Sequence, residues 1–275
     1  MEEEVLGGDE SGRQINPGHD RSRFRVKKKE GIMKIKCLQE NLNQGLSIVS
    51  RVVQPRVVLP ITQGVMMTAK DNKLILATTD LATTLLYSIP AEMEEEGIAC
   101  IPAKALLGVV ENFPNSTVSI YTDGAFSVSL RCEKNKIKLQ GYNPQDFPLI
   151  TEVTGPHFEL QANTFTKAVT RVALSAAKEE SRPVLMSIEF RAKGSNLNLI
   201  AGDGFRLSHE VIGLNDNLDL CALIPAQSLS NLVKLLKDTV RVTVEDKMSK
   251  ISFESDGLLM IFQLISGQFP DITPI

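Results

Sequence analysis

Two aspartates stand at matching places in this chain. Asp80 follows Ala77-Thr78-Thr79 and Asp203 follows Ala201-Gly202, each at the end of an apolar run and just before another. Two carboxylates related by internal repetition could share acid–base work. Their competing use is a hairpin turn, which at Gly202-Asp203-Gly204 the glycines favour by supplying dihedrals other residues resist. Asp80 is followed by Leu81 and Ala82 and has no polar company, which disfavours the enzymatic reading. Asp203 sits between Gly202 and Gly204 and leads into Phe205, Arg206 and Leu207. That turn presents an aromatic, a guanidinium and a leucine at a strand end, which suits recognition better than reaction. Other chemistry is thin. Cys37, Cys100, Cys132 and Cys221 lie far apart without a C-x-x-C, and His19, His157 and His209 are scattered. Neither metal nor disulfide is expected, and reduced thiols fit best. There is no G-x-x-x-x-G-K-[ST] and no nucleophile elbow, so no cofactor and no catalytic residue is expected.

The aspartates belong to a longer pattern. Asp80 and Asp203 are 123 residues apart, as are Pro102 and Pro225 of two Ile-Pro-Ala signals; Phe147-Pro148 and Phe269-Pro270 are 122 apart. The chain thus reads as two copies of one unit, residues 33–150 and 158–275, joined by a short linker containing Gly155-Pro156. In each, a short strand leads to an amphipathic helix, strands surround the Asp turn, a second helix follows Ile-Pro-Ala, and alternating strands close the unit. Few helices among many strands imply an α+β fold, with two helices per unit packed on antiparallel sheets.

Composition sets bounds. A chain of 275 residues with 43% hydrophobic and 23% charged content suits two globular domains. No apolar run approaches a membrane span, and the start lacks the basic and apolar regions of a secretory signal, so a cytoplasmic protein is expected. Residues 1–32 mix acids, bases and glycines with few apolar residues and are expected to be a disordered extension, with Met33 the alternative start. The basic run 21–29 within it is read as solvated.

The four helices carry the useful charge. At 100° per residue, Lys167, Arg171 and Lys178 share a face of a helix expected over 163–178. Arg51 shares one with Gln44 and Ser47 over 40–53, and Lys104 lies opposite Leu106 and Val110 over 103–113. Lys234 and Lys237 face outward over 226–238. One such face is an ordinary wet helix surface. Four on one side of a repeated fold could follow phosphates without reading bases, while the net charge of −3 limits sticking elsewhere.

At these residues the sequence resembles the bacterial DNA polymerase III beta subunit, the sliding-clamp family. The likeness is carried by Met33-Lys34, Arg56 before Leu59-Pro60-Ile61, Thr79-Asp80-Leu81, Ile101-Pro102-Ala103 and Asp146-Phe147-Pro148. It continues through Arg182-Pro183-Val184-Leu185, Gly202-Asp203-Gly204-Phe205-Arg206-Leu207, Ile224-Pro225-Ala226 and Phe269-Pro270-Asp271. The resemblance implies a non-catalytic processivity factor encircling duplex DNA, whose DNA-facing residues are Arg51, Arg56, Lys104, Lys167, Arg171 and Lys178. It also implies a peptide pocket for polymerase, clamp loader and repair proteins, formed by Leu185, Gly202, Asp203, Gly204, Phe205, Arg206, Leu207, Pro270 and Ile275. A hydroxyl residue is frequent in the family where Gly202 stands. Family chains carry three copies and two of them close a ring; this sequence stops where copy two ends. The expectation is therefore a clamp subunit lacking the third domain, either a truncated reading frame without activity or a two-domain variant.

Overall fold

A computed structural model describes residues 32–123, 126–179, 182–245 and 249–272. The first unit runs β1 (Lys34–Leu38), α1 (Gln39–Val49), β2 (Gly64–Lys70), β3 (Lys73–Thr79), β4 (Thr83–Pro90), β5 (Glu92–Glu95), β6 (Gly97–Pro102), α2 (Ala103–Glu111), β7 (Thr117–Thr122), β8 (Ser127–Cys132) and β9 (Asn135–Gln140). The second runs β10 (His157–Gln161), α3 (Ala162–Val172), β11 (Ser187–Gly202), β12 (Leu207–Pro225), α4 (Ala226–Leu232), β13 (Thr239–Val244), β14 (Lys250–Ser255) and β15 (Leu258–Gln263).

β11 and β12 are long because each fuses what unit one divides. Within β11, the Asn198 side-chain amide donates to the Arg191 carbonyl at 3.1 Å. Seven residues of straight strand would span about 23 Å, so the chain folds back between them, at Gly194, whose φ is +63°. The pairings then repeat with the sequence period. Gly64 opposite Pro102 becomes Ser187 opposite Pro225, and Ala77 opposite Leu86 becomes Ile200 opposite His209. Each pair is displaced by 123 residues.

The units join edge to edge. β15 pairs antiparallel with β4, Leu258 to Tyr87 through Phe262 to Thr83, making one eight-stranded sheet ordered β10-β13-β14-β15-β4-β3-β2-β6. A five-stranded sheet, β5-β1-β7-β8-β9, completes unit one. One core cluster holds the buried faces of all four helices, among them Leu42, Leu46, Leu106, Val110, Phe165, Val169 and Leu229, with the inward strand residues. The opposite face of the shared sheet carries Met66, Ile75, Ala77, Leu86 and Ile261 under Phe147, Ile150 and Val153. Phe165 of α3 stacks on Phe253 at 5.4 Å and meets Phe190 edge-on, each contact worth about 0.5–1.5 kcal/mol beyond burial. Gly45 lets α1 close on the sheet, since a Cβ there would lie 2.8 Å from Leu76 Cδ1.

The helices are shorter than their periodicity predicts. α1, α3 and α4 each end in a 3₁₀ turn (Ser50–Val52, Ala173–Ser175, Val233–Leu235), after which Val53, Ala176 and Leu236 are extended. Tertiary hydrogen bonds then capture the chain: Ala177 N–H donates to Leu185 O, and Lys237 N–H to Ser255 Oγ. Lys178 therefore lies beyond α3 and Lys237 beyond α4, off the faces on which helical projection puts them. Phe126 precedes β8 with φ of +57°. Among the described residues, no helix is long and apolar enough to cross a membrane. The extension expected over 1–32 lies, apart from Ile32, outside the described residues.

Candidate functional site: a groove beside the Asp203 turn

Both aspartates build turns. Asp80 Oδ1 accepts from the N–H groups of Ala82 and Thr83 at 3.1 and 2.7 Å. Asp203 Oδ1 accepts from Phe205 and Arg206 at 2.9 and 2.8 Å. The backbone bond from Asp80 N–H to Thr83 O recurs as Asp203 N–H to Arg206 O. At the strained position between, unit one has Leu81 at φ +78° where unit two has Gly204 at φ +91°. Carboxylates committed to their own turns are poor acid–base candidates. Asp203 carries more: its Oδ2 accepts from Arg206 Nε at 3.1 Å and Nη2 at 2.8 Å. The Arg206 side chain, then the Phe205 and Arg206 N–H groups, lower its pKa to about 2.

This turn walls a groove of about 530 Å³. Its floor and opposite wall come from Ala176, Ala177, Lys178, Glu179, Arg182 and Leu185, the segment that leaves α3 and returns to β11. Leu185 is buried, while Phe205 is 97% exposed at the rim. An aromatic held out on a capped turn above an apolar floor can take an apolar side chain, with Lys178 and Arg182 meeting acidic company.

The structure gathers the sequence-predicted pocket residues unevenly. Leu185, Asp203, Gly204, Phe205 and Arg206 line the groove. Gly202 lies buried beneath the turn, where a Cβ would stand 3.0 Å from Arg206 O, so a hydroxyl side chain would have to displace that carbonyl. Leu207 begins β12 partly exposed, and Pro270 is exposed; neither lines the groove. Pro270 follows Phe269, which is buried against Leu185, Ile200 and Leu223. Ile275 lies outside the described residues. Ala176 and Ala177 are missed as groove residues because a helix is expected to run through 178; Glu179 and Arg182, just past that expected end, carry no pocket signal in the sequence.

The six cations expected to face DNA are all exposed. Arg51 follows α1, Lys104 is in the first turn of α2, and Lys167 and Arg171 are on α3. Arg171 is engaged within the chain: Nε and Nη2 donate to the Glu210 carboxylate at 2.6 and 3.0 Å, which raises the arginine pKa and lowers that of Glu210. Lys178 belongs to the groove and not to the helical surface. Arg56 lies in the 53–59 loop beside exposed Val58.

Comparison with known proteins places this architecture. The family model for the DNA polymerase III beta subunit N-terminal domain matches residues 33–151, and that for its central domain matches residues 159–271. The beta sliding clamp of Micrococcus luteus is 24% identical over 245 residues, covering 87% of this chain and 79% of that one. A crystal structure described as a DNA polymerase III beta subunit from Eubacterium rectale superposes with a TM-score of 0.84 at 25% identity, over 88% of this chain and 67% of that one. The Pseudomonas aeruginosa sliding clamp, crystallised with griselimycin bound, gives 0.81 at 22% identity, over 88% and 67%. The chain spans 79% of the Micrococcus luteus clamp and 59% of that from Chlamydia trachomatis. Two matched units, one after the other and joined through a shared sheet, place the chain in the DNA polymerase III beta subunit family.

Proposed function

We propose that the chain acts as a sliding-clamp subunit without catalysis of its own, holding duplex DNA through its helix faces and partner proteins through the Leu185 groove. The observation that carries this reading is the β15–β4 junction, which lays two repeats edge to edge with their four helices in one core. Repetition of that junction bends sheet into a ring segment with polar helix surfaces on one side. Arg56, Arg51, Lys104 and Lys167 are the residues we assign to phosphate contact, with Arg171 contributing less while it holds Glu210. Such contacts are indifferent to base sequence.

In the groove, Leu185 is the floor for an apolar anchor and Phe205 packs over it. Pro270, Leu207 and Ile275 belong to the same reading as flanking contacts. Polymerase, clamp loader and repair proteins are the partner class, and cytoplasm with nucleoid the site of action. The groove here draws on one unit only, and small interfaces bind weakly once ordering costs are met. A fluorescein-labelled peptide carrying the clamp-binding motif of a bacterial replicative polymerase, with griselimycin as competitor, tests this. The expected result is saturable binding about tenfold or more weaker than to a three-domain clamp, abolished by Leu185→Asp. Binding unaffected by Leu185→Asp would remove the groove from the account.

A further inference from the structure

Unit two buries charge where unit one buries hydrocarbon. Glu189 on β11 is only 2% exposed. Its two carboxylate oxygens each lie 2.9 Å from Arg191 Nη2, and Cys221 Sγ donates to Oε1 at 3.2 Å. The residues 123 positions earlier are Met66, Thr68 and Ile98, and Met66 and Ile98 pack in an apolar cluster. The fold therefore accepts an uncharged residue at this place. A buried ion pair is weak evidence for stability, because desolvation offsets its attraction; another use is needed.

The geometry of the neighbouring loop supplies one. Glu189, Arg191 and Cys221 line a cavity of about 400 Å³ together with Ala222, Leu223 and the 264–269 segment. In unit one the corresponding segment is one residue longer and holds itself together. Pro144–Asp146 forms a 3₁₀ turn, Asn143 Oδ1 accepts from Gln145 N–H, and Phe147 N–H donates to Pro144 O. In unit two the segment is irregular and passes through Gly267 at φ +138°. Its end is Phe269, which lines the same cavity as Arg191 and belongs to one buried cluster with Leu185, the groove floor. Asp271, two residues on, adds to the field that raises the Arg191 pKa, after the larger effect of the Glu189 hydrogen bond.

We propose that Arg191, held by the buried Glu189, is a positioning residue: it fixes the loop that ends in Phe269 and thereby sets the floor of the groove. This rests on the groove being the partner site. The loop is tied to the sheet at its start, where Ile265 N–H donates to Leu223 O at 2.8 Å, and the pair faces its remaining residues across the cavity. Preorganisation of this kind tightens binding without touching the ligand.

The test gives unit two the chemistry of unit one, with the double variant Glu189→Met/Arg191→Thr in the full chain. Amide hydrogen exchange at Gln268 and Phe269 is expected to accelerate about tenfold, with the β11 amides unchanged. Affinity for the labelled polymerase peptide is expected to fall about tenfold. Arg191→Lys keeps the charge but loses the planar contact with the carboxylate, and gives a smaller change in both readouts; it serves also if the double variant folds poorly. Absence of peptide binding in the wild-type chain would overturn the groove reading beneath this proposal. Unchanged exchange at 268 and 269 in a folded variant would overturn the positioning role itself.

Discussion

Asp203 shows how one side chain can both close a turn and hold a neighbouring side chain. It closes a turn through two backbone N–H groups and steadies Arg206 at the mouth of the groove. Its folded pKa, near 2, lies below the usual carboxylate value near 4. A depressed acid contributes stability above its unfolded pKa and loses it as pH falls through the folded one. The turn should therefore keep its form at pH 5 and loosen between about pH 4 and pH 2. Asp203→Asn keeps an acceptor for the backbone but loses the ion pair, so the variant should hold the turn while Arg206 becomes mobile. NMR relaxation of the Arg206 side chain would show this, and an equally ordered guanidinium in the variant would contradict it. The echo between Asp80 and Asp203 was legible in sequence through the 123-residue offset they share with Pro102 and Pro225, although the residues next to each Asp differ. The Glu189–Arg191 pair was not legible: its meaning lies in tertiary burial, and nothing in E-F-R announces that one end faces inward.

At the level of elements, the strand pairings followed the sequence period closely, since β register is tied to which face is apolar. Helix ends were less readable. Periodicity continued past Val172 through Ala176 and Lys178, but Ala177 N–H is taken by Leu185 O and the helix stops. That one hydrogen bond transfers Lys178 from the helix surface to the groove. Two lysines close in sequence should then behave differently. Lys167→Glu should weaken binding to duplex DNA several-fold, by the loss of a cation and the gain of an anion at the surface proposed to face phosphate. Lys178→Glu should leave DNA affinity within about twofold, if only the α3 face meets phosphate. Fluorescence anisotropy at low salt compares them, and equal losses for the two would return Lys178 to the DNA surface.

For the whole molecule, the informative contrast is between a used edge and an open one. β15 meets β4 with Leu259 and Ile261, whereas the strand 123 residues earlier, β9, ends its sheet carrying Lys136 and Lys138 at those positions. Charge on an edge strand opposes casual pairing. Residues 207–213 of β12, the counterpart of β4, offer exposed Leu207 and Val211 to any neighbour. This 275-residue chain should sediment as a monomer or weak dimer, and Lys136→Leu with Lys138→Ile should shift it toward larger species. No such shift would mean that β9 is not an assembly edge. The two matched units fix the family, while the action on DNA is the proposal that most needs a direct test. That test is the salt dependence of binding to two duplexes of unrelated sequence, measured for the wild-type chain and for Lys167→Glu. The account predicts equal affinities for the two duplexes, a steep fall with salt, and a shallower slope in the variant. Preference for one duplex, or a slope that Lys167→Glu leaves unchanged, would contradict it.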